Sequence, residues 1–123
     1  MARIRSKNTK PELSVRSLVH RLGFRFRLHR KDLPGCPDIV LPKFKAVIFV
    51  HGCFWHFHNC SDGKIPETNK KYWKQKLFGN MKKDQKHVKA LRGKDWKVLV
   101  VWECEVRKCY RRLPNRITKL LLG

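Results

Sequence analysis

The chain has 123 residues, with 30 Lys and Arg against 9 Asp and Glu, giving a formal net charge of +21 at pH 7 and a sequence pI near 10.5. That length excludes a multidomain assembly and predicts one domain over residues 1–123 with a modest core. The charge far exceeds what solubility requires, so the expected partner is a polyanion, with nucleic acid foremost.

Hydrophobic residues make up 41% of the chain, among them seven Phe, four Trp and two Tyr, which is too many for a chain that never packs. The opening MARIRSKNTK is cationic, and no apolar run of membrane-spanning length follows. Neither a membrane partner nor a secretory signal is expected. Five cysteines, an odd number, with three of them near His or Asp, predict reduced thiols in a cytoplasmic or nucleoid setting rather than a disulfide scaffold.

In chain order, Thr9 to Leu22 reads as a helix, because Val15, Leu18, Val19 and Leu22 recur at helical spacing and Gly23 stops it. Thr9-Lys10-Pro11-Glu12 places a hydroxyl three residues before a carboxylate, a capping-box arrangement in which Glu12 has a role as a cap. Phe24 to Leu28 alternates apolar and cationic, as a half-buried strand does. Pro34-Gly35-Cys36-Pro37 is a turn cluster. After it, Asp38–Leu41 and Phe44–Val50 form a hairpin about Pro42-Lys43, ending at His51-Gly52.

Cys53 to Pro66 lacks either period and reads as a loop that bears a site. A helix from Tyr72 to about Leu91 follows, with Leu77, Met81, Asp84, Val88 and Leu91 on one stripe and a break at Gly79. Trp96–Trp102 is a nearly continuous apolar run, expected as a strand covered on both faces and central in its sheet. Arg107–Leu122 closes the chain as a helix broken near Pro114. The order helix, three strands, helix, strand, helix predicts an α/β sandwich with a mixed sheet.

The segment His51 to Cys60 holds three imidazoles and two thiols. Cys53, His58 and Cys60 are zinc ligands by type, and Cys104, directly after the apolar strand, is the best-placed fourth, with Cys36 and Cys109 as alternates. Such a Cys3His site would be structural and would pin the loop to the far strand. The competing reading is ordinary buried thiols beside a loop histidine.

A closed zinc cage leaves His51 and His56 to be explained. The hairpin brings Asp38 to the same sheet end as His51, so a carboxylate and two imidazoles share an edge. With a hard cation on the carboxylate and a histidine to accept a proton from water, that edge suits phosphodiester hydrolysis. Solvated surface residues are the alternative. Phe54, Trp55 and Phe57 on the same loop, and Trp73 among Lys70, Lys71 and Lys74, suit base stacking or wedging between base pairs, with core packing as the competing role.

Pro37-Asp38-Ile-Val, Val50-His51-Gly-Cys-Phe-Trp-His56, Tyr72-Trp73 and Val100-Val-Trp-Glu-Cys104 resemble, in order and spacing, the very-short-patch repair (Vsr-type) DNA mismatch endonucleases. Arg5 to Glu12 is similar to that family's entry into its first helix, so the likeness spans roughly residues 1 to 110. The resemblance implies a restriction-endonuclease-like α/β/α core with a mixed central sheet and a structural zinc site. It also implies a magnesium-dependent nick in one strand of duplex DNA beside a thymine–guanine mismatch.

Under that resemblance Asp38 and the carbonyl of Val50 would ligate magnesium, and His56 would be the general base. His51 and Glu12 would support the phosphate site, and Cys53, His58, Cys60 and Cys104 would bind zinc. Phe54, Trp55 and Trp73 would enter the duplex. It further implies a monomer in a bacterial-type cytoplasm, nucleoid-associated, with other mismatch-repair proteins as partners. Val50 stands where relatives often carry threonine, which a carbonyl ligand tolerates. Relatives also often carry an N-terminal arm that helps clamp DNA, so the short start here implies either weaker binding or a fragment of a longer chain. A non-catalytic zinc-containing nucleic-acid-binding module is the alternative function.

Overall fold

The computed structural model describes residues 9–53 and 67–122. Helix α1 spans Lys10–Arg21, with the Thr9 side chain accepting from the Glu12 N–H at 3.4 Å and proline in the first turn. Gly23 follows with φ +88°, and the Gly23 and Phe24 N–H groups turn back to carbonyls of the last turn, so the helix ends where glycine can take a left-handed conformation.

Strand β1 is short, Arg27–Leu28, and pairs antiparallel with β2, Ile39–Leu41. Phe24 and Phe26, expected within that first strand, pack on the core ahead of it without joining the ladder. A 3-10 turn over Pro42–Phe44 and Lys45 at φ +51° then reverse the chain into β3, Ala46–His51. The register Ile39↔Ile48, Val40↔Val47, Leu41↔Ala46 is that of the expected hairpin.

Helix α2 runs unbroken over Lys70–Gly93. The expected break at Gly79 does not occur: nothing crowds that position, and a lone glycine in a long helix costs only about 1 kcal/mol. Strand β4, Lys97–Trp102, pairs parallel with β3. Both its faces are covered as expected, Val98 and Val100 on one side and Leu99 and Val101 on the other. Its place is nevertheless at the edge of the described sheet, whose order is β1-β2-β3-β4, and not at the centre. An apolar run reports cover above and below a strand and carries no information on lateral neighbours.

The chain then forms α3, Glu103–Lys108, a 3-10 turn at Tyr110–Arg112, and α4, Leu113–Leu122. The interruption falls at Cys109, ahead of the expected position, and Pro114 lies in the first turn of α4, where its missing N–H would be unused anyway.

Alternation along the strands divides the core into two layers. Ile39, Leu41, Ala46, Ile48 and Val101 meet Val15, Leu18 and Val19 of α1 and Leu113, Ile117 and Leu121 of α4. Val40, Val47 and Phe49 meet Leu33 and the Leu91 end of α2. The architecture is therefore helices on both faces of a mixed four-stranded sheet. Among the described residues no helix is long and apolar enough to cross a membrane.

Candidate active site

Thr9 caps α1 and thereby fixes the start of its first turn, from which the Glu12 side chain enters the interior and is only 1% exposed. A buried carboxylate requires compensating donors. Arg16, one turn on, and His29 supply them, both on Oε2, with His29 Nε2 at 2.8 Å. The hydroxyl half of the expected capping box is thus formed, and the Glu12 carboxylate is directed to Arg16 and His29.

Asp38 enters from the opposite direction, immediately before β2. Its Oδ2 accepts from the Val50 N–H at 2.7 Å, near the end of β3. The hairpin register therefore brings Asp38 to the end of β3 that carries His51, as the sequence spacing implies. The next rung of the β1–β2 ladder is the His29 N–H donating to the Asp38 carbonyl at 3.3 Å. Glu12, His29 and Asp38 converge so that one potential ligand atom of each lies within 4.8 Å of the others.

His51 lies at the same sheet end but outside that trio among the described residues. It is 6% exposed, and its ring packs between Phe49 and Trp102, with centroids 5.5 and 5.3 Å away. Beyond it Cys53 is fully buried, and its Sγ accepts from the Cys104 N–H at 3.4 Å. Two of the four expected zinc ligands, one after β3 and one after β4, are therefore neighbours. Trp73 sits in the first turn of α2, half-buried, beside exposed Tyr72 at 5.3 Å, with Lys76 Nζ 5.9 Å from its ring centre. The expected roles of Phe54, Trp55, His56, His58 and Cys60 fall on residues outside the described ones.

Sequence reasoning missed His29 and Arg16. The available signal for His29 was the antiparallel register: if Leu28 pairs with Ile39, the residue following β1 must face Asp38. Arg16 was legible as the residue four positions after Glu12 on the same helix face.

The fold is that of an endonuclease catalytic domain. The solved catalytic domain of the homing endonuclease I-Bth0305I superposes with a TM-score of 0.63 at 21% sequence identity, covering 92% of this chain and 94% of that one. The sequence profile of the family described as DNA mismatch endonuclease Vsr matches residues 1–62. The chain is 55% identical over 106 residues to the type II nicking enzyme V.XorIIP of Xanthomonas oryzae, covering 86% of this chain and 78% of that protein. It is 39% identical over 121 residues to the DNA mismatch endonuclease Vsr of Escherichia coli, covering 98% of this chain and 78% of that one. This chain belongs to the Vsr family of DNA mismatch endonucleases.

Proposed function

We propose that this protein nicks one strand of duplex DNA beside a thymine–guanine mismatch by magnesium-dependent hydrolysis of a phosphodiester. The observation that carries this reading is the convergence of Glu12, His29 and Asp38 at the β3 end of an endonuclease fold. Carboxylate oxygens suit a hard cation, and Asp38 is held for that task by the Val50 N–H. A strand residue turns its N–H and C=O to the same edge, which supports the Val50 carbonyl as a second ligand. When bound, magnesium neutralises charge building on the scissile phosphate.

The remaining tasks fall to side chains. His56 accepts the proton of the attacking water, and His51, fixed between two rings, orients the phosphate. Phe54, Trp55 and Trp73 wedge into the duplex, which opens at least expense where pairing is weak. Cys53, His58, Cys60 and Cys104 hold a structural zinc that pins the loop carrying Phe54 and Trp55. The adjacency of Cys53 and Cys104 supports that set.

Asp38→Asn tests the reading. Asparagine keeps an oxygen for the Val50 N–H, so the buried donor is not orphaned while the charge is lost. Nicking of a thymine–guanine duplex with magnesium should fall about 100-fold or more, with duplex binding retained. Cutting at the wild-type rate would overturn the metal role of Asp38, and binding without any magnesium-dependent cutting by the wild type would leave a non-catalytic nucleic-acid-binding module instead.

A further inference from the structure

Glu12, buried on a helix, and Asp38, half-buried just before a strand, come from different parts of the fold, yet their carboxylates are brought together. Like charges at that range repel, and the arrangement requires something that ties the two together. His29 touches both. The His29 N–H donates to the Asp38 carbonyl at 3.3 Å, and its Nε2 meets Glu12 Oε2 at 2.8 Å. A carboxylate oxygen accepts there from a ring N–H.

The backbone at His29 is also unusual. Its φ is +48°, in the left-handed region where asparagine, aspartate and histidine are enriched among non-glycine residues. That turn ends the β1 ladder and directs the ring to α1. Arg16 compensates Glu12 from within the same helix.

We infer that His29 is a positioning residue for the proposed nicking reaction: its side chain holds the Glu12 carboxylate and its main chain holds Asp38, so that both present oxygen to one divalent cation. This rests on the site reading given above. His29 touches the Glu12 carboxylate and the Asp38 main chain, so its removal should alter how the metal is held more than how DNA binds.

The test compares two variants of the full chain, His29→Asn and His29→Gln, with the wild type. Asparagine tolerates a positive φ as well as histidine does, so the backbone turn is kept. Its amide reaches only to about the Nδ1 position, and the Glu12 contact is lost. Glutamine reaches to about Nε2 and restores a donor there.

Two measurements are made on each: calorimetric titration with Mn2+ or Mg2+ in the absence of DNA, and kcat and KM on a mismatched duplex. For His29→Asn, divalent affinity and kcat should each fall about tenfold or more while KM for DNA stays near wild type, and His29→Gln should recover most of both losses. Thermal melts accompany these, and a loss confined to Tm would mark a structural residue and overturn the inference. Wild-type metal affinity and kcat in His29→Asn would overturn it as well, as would a glutamine variant no better than the asparagine one. Asp38→Asn separates the two levels: if it also cuts normally, the site reading itself fails, whereas if it alone is inactive, only the role of His29 fails.

Discussion

Gly35 illustrates how a single backbone position secures the route into the site. Its φ is +77°, and a Cβ placed there would lie 2.9 Å from the Cβ of His87 on α2, an atom fixed by the helix backbone. Any side chain at 35 therefore meets both a disfavoured conformation and a rigid neighbour. Gly35→Ala should destabilise the domain by about 2 to 5 kcal/mol, combining roughly 1–2 for the left-handed conformation with roughly 1–3 for overpacking. In a domain of this size that is a fall in Tm of roughly 10 °C. Thermal unfolding of the variant measures it, and an unchanged Tm would mean that the Pro34–Pro37 turn does not rest on α2. The same turn delivers Asp38 to its place, so this one small residue links the α2 layer to the proposed chemistry. Glu12 shows a different residue-level lesson: a position that the sequence marks as a cap also sends its carboxylate inward, where Arg16 and His29 meet it.

Between elements, the parallel pairing of β3 and β4 brings the chain segments that leave them to one end of the sheet, with His51 opposite Trp102. Cys53 and Cys104 meet for that reason. If they share a structural zinc, Cys104→Ser should lower the zinc content measured by metal analysis and reduce Tm by well over roughly 10 °C, because the metal contributes folding free energy directly. Unchanged metal content and melting would transfer the ligand role to Cys36 or Cys109. The local parts of this arrangement were legible in advance. The α1 periodicity, the hairpin about Pro42-Lys43 and the doubly covered β4 all follow from side-chain spacing, which determines which faces are buried. What spacing does not determine is lateral order, and so β4 was expected at the centre and is found at the edge. Nor does a glycine in the middle of α2 report whether anything presses on it, and there nothing does. Of the site, Asp38 could be placed by hairpin register, whereas the partnership of Glu12 with His29 is a contact between α1 and the end of β1 that no local pattern encodes.

For the molecule as a whole, the net charge of +21 makes a prediction independent of any catalytic assignment. Neutralising duplex phosphates releases condensed counterions, so log affinity should fall linearly with log salt, at about 0.9 per phosphate contacted. A footprint of about 6 to 10 phosphates implies a loss of roughly 10³ to 10⁵ in affinity between about 50 and 200 mM salt. Exposed Lys71 and Lys74 flank Trp73 at the start of α2 and are suited to such contacts. Lys71→Ala and Lys74→Ala should each reduce the slope by about 1. Mismatch selectivity, if it arises from uncharged rings entering a weakly stacked step, should leave that slope untouched. Matched and thymine–guanine duplexes titrated side by side should then give parallel lines, separated by a constant offset. Parallel lines would assign affinity to the cationic surface and selectivity to the aromatic residues, as two separable parts of one interface. Lines that converge with rising salt would mean that charged side chains themselves read the mismatch, and a flat dependence for both duplexes would remove phosphate binding as the reason for the charge.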